Sequence, residues 1–407
     1  MSQIPTVFTL GNGLRVMVRQ ADTLVSYIGV SINAGSRDED ESCHGLAHFV
    51  EHTIFKGTDR RRSFQISDRM ESVGGDLNAY TSKEDTMVYT GAPAGYEERA
   101  MDLLADLISS SRFPKDEIDR ERGVVIEEIK SYLDAPSETV FDRFEDLAYA
   151  GCGLAHNILG TPESVERLTG EDCRRFLDRF YTPGNMVVYC SSALKPEKIL
   201  RLAEKYFSTL HYPVAPHVRT SPPAMEHFDL TEDFGTHQAN TIVGARIMGK
   251  KDPRRFAMYL LNNYLGGAGM NSRLNRELRE KRGYVYAVDS FTSMMSDIGL
   301  MQIYFGSDPS KVDKCRKIIA DELDRLAQSP LSKTVFEKMK RQYCGQLIVA
   351  SDRTENRMMS MAKSLLCYGE VKDIAHTAER IRAVTAEEVR EVAEMLVPQN
   401  CSTLTLI

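Results

Sequence analysis

No run in this 407-residue chain approaches the roughly 18 consecutive apolar residues that a membrane-crossing helix needs. None of its eight cysteines form a Cys-x-x-Cys pair, so no redox or zinc-knuckle motif is present. The thiols sit in apolar or helical stretches and are expected to be free and largely buried. The first residues, Met1-Ser-Gln-Ile-Pro-Thr6, have neither the basic nor the apolar segment of a secretory signal, so a reducing cytoplasm is the expected location. Positive charge is in short supply: 51 Lys and Arg stand against 58 Asp and Glu, a net charge of −7. Nucleic acid and anionic membranes are therefore poor partners. What is there is ordinary for a globular protein, with 42% hydrophobic residues and enough length for two or more domains.

The most informative stretch is His48-Phe-Val-Glu51-His52. On a helix, His48, Glu51 and His52 fall within an arc of about 100°, with Leu46, Phe49, Val50 and Thr53 opposite. One face can pack while the other presents two imidazoles and a carboxylate. This His-x-x-Glu-His order inverts the commoner zinc pentad. Two histidines four apart supply two ligands, and a hydrolytic zinc wants a third with one position left open. Glu51 is poorly placed to share the ion and well placed to take a proton from a water. Ser42 is the expected N-cap of this helix and Gly57 its C-terminal stop.

The rest of the chain divides in two. Thr6–Leu10 and Leu14–Arg19 flank Gly11-Asn12-Gly13, a hairpin signal, and a third strand follows over Val25–Asn33. Leu77–Gly91 reads as strand-rich. Glu97–Ser110, Lys115–Tyr132 and Thr169–Phe180 read as helices, and Met186–Ser192 as a strand. Prolines at 213, 216, 222 and 223 mark an extended linker. Beyond it the order repeats: Gly91 recurs as Gly306, Asp134 as Asp352, Gly151 as Gly369, and Pro183-Gly-Asn185 as Pro398-Gln-Asn400. The expected architecture is α+β, with two homologous domains of about 200 residues, each an antiparallel-rich sheet packed with helices. The expected boundaries are 1–212, a linker at 213–224, and 225–407. At an offset of 218 residues Glu128 becomes Gln346, and the pentad falls near Gly266-Gly-Ala-Gly-Met270, so the second copy cannot hold the same metal. No Lys-Ser/Thr follows those glycines, which excludes a phosphate loop.

The helix around Glu121-Arg-Gly-Val-Val-Ile-Glu-Glu128 offers a third ligand, since Glu121 and Glu128 are seven apart and share a face. By spacing alone it reads equally as a solvated acidic face.

His48-Phe-Val-Glu51-His52, followed by Glu128 within Glu-Arg-x-Val-Val-x-Glu-Glu, resembles the pitrilysin/insulinase-type zinc peptidases. These include the catalytic subunit of the mitochondrial processing peptidase and its half-size bacterial relatives. Gly45-Leu-Ala-His48, Phe55-Lys-Gly-Thr58, Gly74–Thr81, His156–Glu163 and Tyr181-Thr-Pro-Gly-Asn185 fit the same pattern. So do Leu265–Leu274 and Leu278–Tyr286, and the order is kept along nearly the whole chain. The resemblance implies one Zn2+ per chain, held by His48, His52 and Glu128. It makes Glu51 the general base and Glu121 an acid that orients a ligand. Asn78 and Ala79 would lie on a sheet edge where substrate adds as a strand, and Arg279 and Tyr286 would bind substrate and its carbonyl. The implied activity is hydrolysis of peptides or unfolded segments by a zinc metalloendopeptidase. Larger members carry four such domains in one chain and enclose a chamber. A two-domain chain would then pair, as a homodimer or with a dissimilar subunit. The alternative is a non-catalytic peptide-binding or scaffolding subunit.

Overall fold

The computed structural model describes residues 4–210 and 218–407. Residues 213–217 of the expected linker lie outside them. Two compact units emerge, one of residues 1–130, 156–220 and 351–373, the other of 131–155, 221–350 and 374–407.

The first unit is built on a six-stranded sheet: β1 (Thr6–Thr9), β2 (Arg15–Gln20), β3 (Val25–Ile32), β4 (Asn78–Thr81), β5 (Thr86–Pro93) and β6 (Met186–Ser192), in the order β1-β2-β6-β3-β5-β4. The β1–β2 turn closes through Leu10 N–H to Leu14 O at 2.8 Å, and the Asn12 side chain accepts from Leu14 N–H at 3.1 Å. Only the β2–β6 pair is parallel. Alternate residues of β2, β3 and β6, such as Val16, Val18, Val30 and Val188, join Leu104, Leu107 and Phe176 in the main core. Met17, Met87, Val187 and Tyr189 face the other way. They are covered by Met358, Met361 and Leu365 of the helix Thr354–Tyr368, which comes from late in the chain.

The second unit repeats the plan. Its strands are β7 (Asp229–Glu232), β8 (Ala239–Met248), β9 (Val285–Met294), β10 (Ile298–Ser307) and β11 (Ser402–Leu406), in the order β7-β11-β8-β10-β9. Again one pair is parallel, β7–β11, and the rest are antiparallel. Strand for strand this is β2-β6-β3-β5-β4. One face of this sheet is covered by the helix Pro136–Ala148, from early in the chain, through Val140 and Phe144 against Ile242, Leu300 and Leu404. Gly244 is required there: a Cβ on it would lie 2.9 Å from the Phe144 ring. The two covering helices begin 218 residues apart, at Pro136 and Thr354. They are the same element of the repeat, and each lies in the unit whose sheet comes from the other half of the sequence.

Among the described residues no helix is long and apolar enough to cross a membrane. None of the eight cysteines is in a disulfide.

Candidate metal centre

The pentad helix runs Leu46–Thr53, with Leu46, Phe49, Val50 and Thr53 buried on the packing face. Its start is not capped by Ser42, which sits in a short 3-10 turn. Gly45 is the N-cap, in the left-handed region at φ 90°. A side chain at Gly45 would be strained, and its Cβ would come within 2.6 Å of Leu159 O. This is why Gly45-Leu-Ala-His48 and His156–Glu163 occur together: the second segment packs against the first. Nor does Gly57 end the helix; the C-cap is Ile54.

Glu39, a residue the sequence did not single out, replaces the missing cap. Its carboxylate, on a fully buried side chain, accepts from Gly45 N–H at 2.8 Å and Ala47 N–H at 2.7 Å. It also lies 3.0 Å from His156 Nε2. A carboxylate here satisfies the unpaired amides of the first helical turn and complements its dipole.

On the open face, His48 and His52 stack at a tilt, with ring centroids 4.5 Å apart. The helix Lys115–Leu133 brings in Glu128, whose Oε1 is 3.9 Å from His48 Nε2 and whose Oε2 is 3.4 Å from His52 Nε2. One ligand atom from each of the three lies within 4.8 Å of the others, the one such group found among the described residues. Glu127 turns away to pair with Lys130 at 2.8 Å. Two turns earlier on the ligand face, buried Glu121 is 3.0 Å from His52 Nδ1 and 2.7 Å from Lys56 Nζ. No sequence signal marked Lys56 as a partner of Glu121, because Lys56 lies in the loop after the pentad helix and meets the Lys115–Leu133 helix only through packing.

These residues fit a zinc ion. The Glu121 contact fixes His52 Nδ1–H, leaving the Nε2 lone pair towards Glu128, the usual carboxylate–histidine–metal arrangement. Burial, and then the proximity of His52, pushes the His48 imidazole down to about 3, so it is held in the neutral, ligating form. For His52 burial acts against the charged form, but Glu121 and Glu128 outweigh it and its pKa lies above the ordinary value. Burial raises the Glu51 carboxyl, against opposing pulls from Thr81 and His52. Burial likewise acts on Glu121, and the contacts with His52 and Lys56 reverse it, leaving that carboxyl below its usual range.

The His48 shift has a consequence for the metal-stripped protein. The unfolded imidazole takes up a proton below about pH 6.5, while the folded one stays neutral down to about 3. The unfolded state thus binds more protons in that window, and stability falls as pH falls through it. Urea unfolding should show wild type losing about 3 kcal/mol more than His48→Gln between about pH 6.5 and 4.

Asn78 and Ala79 open β4, the edge strand beside β5, with Asn78 exposed and Ala79 half-buried. Thr81, at the far end of β4, acts on Glu51, so the edge runs up to the site. Arg279 and Tyr286 belong to the second unit. Arg279 is exposed in a π-helix over Asn275–Glu280, and Tyr286, on β9, is 67% exposed.

Known proteins carry the same plan. The family described as Insulinase (Peptidase family M16) matches residues 15–162, and Peptidase M16 inactive domain matches residues 167–343. An uncharacterised zinc protease of Streptomyces coelicolor is 35% identical over 395 residues, covering 95% of this chain and 85% of the relative. The mitochondrial-processing peptidase subunit beta of Caenorhabditis elegans is 29% identical, covering 95% and 86%. The crystal structure of a protease from Helicobacter pylori superposes with a TM-score of 0.90 at 22% identity over 99% of both chains, a likeness of fold.

Proposed function

The chain belongs to the M16 (insulinase) peptidase family, and on that premise we propose that it is a zinc-dependent endopeptidase acting on peptides or unfolded polypeptide segments. The observation that carries this reading is the meeting of His48, His52 and Glu128 beside a half-buried carboxyl, Glu51, that is not one of that group. Bound zinc would polarise a peptide carbonyl and acidify a water at neutral pH. Glu51 takes the proton from the attacking water and returns it to the leaving amine. Its burial suits it to hold that proton transiently. Glu121, clamped by Lys56, keeps His52 in one orientation and tautomer. Asn78 and Ala79 offer backbone groups along the β4 edge, where substrate pairs as an added strand, a mode largely indifferent to side chains. Tyr286 donates to the carbonyl oxygen as it gains charge, and Arg279 holds the peptide.

The protein works in the cytoplasm as a homodimer with one zinc per chain, in which Arg279 and Tyr286 of each subunit serve the zinc half-site of the other. What supports this is that a two-domain chain retains both sets of residues. A mixing experiment on a quenched, unfolded peptide tests it. Wild type is expected to cleave, and Glu51→Gln and Tyr286→Phe alone to be nearly inert. Their equimolar mixture should recover about a quarter of the wild-type rate, because half the dimers are mixed and one of their two sites is intact. Failure of wild type to cleave any unfolded peptide, with zinc bound, would sink the peptidase reading in favour of a peptide-binding subunit. An inert mixture would sink the sharing alone.

A further inference from the structure

The second unit keeps the helix that carries Glu121 and Glu128 in the first. Lys333–Ala350 begins 218 residues after Lys115–Leu133, and at that offset Met339 replaces Glu121 and Gln346 replaces Glu128. The acids are gone, and space remains beside the Glu121-equivalent position. A cavity of about 180 Å3 lies against Met339, between this helix and the segment Asn271–Arg276. Its chemistry is the reverse of the metal site's. Three cations line it, Arg273, Arg276 and Lys338, and no Asp or Glu does.

The cations are not equivalent. Arg273 is already neutralised, 2.9 Å from Glu277 and 3.0 Å from Glu322. Arg276 and Lys338 are exposed, and neither side chain has a hydrogen-bond or ion-pair partner among the described residues. Ser272 lines the same cavity, is only 4% exposed, and its hydroxyl has no hydrogen-bond partner among the described residues. A buried hydroxyl left unpaired is costly, and an acceptor brought into the cavity would relieve it. Arg276 is also carried on the π-helix, where Lys281 N–H reaches Arg276 O at 3.1 Å. π-Helical turns are rare and concentrate at functional sites.

From this juxtaposition we propose that the cavity is an oxyanion site, in which Arg276, Lys338 and Ser272 receive a carboxylate or phosphate group. The copy that lost its metal-ligating acids thus offers, beside the position equivalent to Glu121, a receptor for negative charge. It is a site of side-chain cations, distinct in kind from the glycine-rich phosphate loop excluded above. If the chain is the endopeptidase proposed above, the natural occupant is an acidic side chain of the peptide. Arg276 stands three residues before Arg279 on the same π-helix, so such a subsite lies near the residue assigned to peptide binding. Inorganic phosphate offers the same chemistry in free form.

Two arms separate these sources. In the first, inorganic phosphate is titrated calorimetrically into full-length protein stripped of metal by a chelator, which removes any contribution from the zinc ligands. The Arg276→Ala/Lys338→Ala variant is expected to bind it at least about tenfold more weakly than wild type. In the second, zinc-loaded protein cleaves two peptides that differ only by glutamate against glutamine at one position, scanned along the peptide. At one position wild type should show a KM about tenfold lower for the glutamate peptide, and the variant should erase that ratio. Phosphate binding without peptide discrimination assigns the site to free phosphate, and discrimination without phosphate binding assigns it to the peptide carboxylate. Equal phosphate binding by wild type and variant, together with equal KM values at every position, overturns the proposal. If wild type cleaves neither peptide, the endopeptidase reading fails, and the phosphate arm still decides the cavity. Both substituted side chains are exposed, and Ser272→Ala, which deletes one buried hydroxyl, gives a second variant with a smaller loss in the same direction.

Discussion

Glu51→Gln is expected to lower kcat on an unfolded peptide by about 10³- to 10⁴-fold while leaving one zinc bound per chain. Glutamine keeps the size and burial of the side chain but cannot accept the proton of the attacking water. The ligands do not depend on it, since the three-atom cluster is made by His48, His52 and Glu128. Because Glu51 follows His48 by one turn, its loss and the loss of a ligand are easily confused by activity alone. Metal analysis separates them. His48→Gln should lose both zinc and activity, and added zinc should restore chelated wild type but not Glu51→Gln. A Glu51→Gln protein that retains more than about a tenth of wild-type kcat would place the proton transfer elsewhere.

A fragment ending at residue 210 is expected not to fold, although it contains every residue proposed to handle zinc. It lacks the helix Thr354–Tyr368, which covers Met17, Met87, Val187 and Tyr189 in the first unit. Met358, Met361 and Leu365 each contribute about 2–3 kcal/mol by burial, a sum comparable to the whole stability of an ordinary domain. Adding residues 351–373 as a separate peptide should restore part of the far-UV helical signal and of the zinc binding, which the fragment alone lacks. Cooperative unfolding of the bare fragment with wild-type zinc affinity would contradict this.

The sequence was informative where periodicity or duplication carried the signal. The pentad wheel put Leu46, Phe49, Val50 and Thr53 on the packing face, and they are buried there. The repeat showed two copies, and the sheets have matching strand orders. The third ligand was harder. Glu121 and Glu128 share a helix face, but spacing cannot say which carboxylate reaches another helix, and only the resemblance favoured Glu128. Contacts between distant segments left no trace at all. Glu39 caps the pentad helix from outside it, and Lys56 clamps Glu121 from the loop that follows that helix. Ser42 looked like a cap because capping preferences are local, whereas here a buried carboxylate and a left-handed glycine start the helix instead. Internal similarity likewise revealed that Pro136 and Thr354 begin equivalent helices, but not that each covers a sheet from the other half. A repeat fixes what an element is, and burial decides where it goes.

The exchange of those two helices sets a timetable for synthesis. The first sheet can be complete once residue 192 has left the ribosome, yet the helix that covers its methionine-rich face begins at Thr354. At ordinary elongation rates the gap lasts on the order of ten seconds. Through that interval a nascent sheet displays Met17, Met87 and Tyr189 to solvent, with the ribosome still attached. The helix Pro136–Ala148 waits in the same way for strand β11, which begins only at Ser402. Neither unit can close before Thr354 has been made, and the second not before Ser402, so a ribosome that stalls ahead of Thr354 leaves no finished domain behind it.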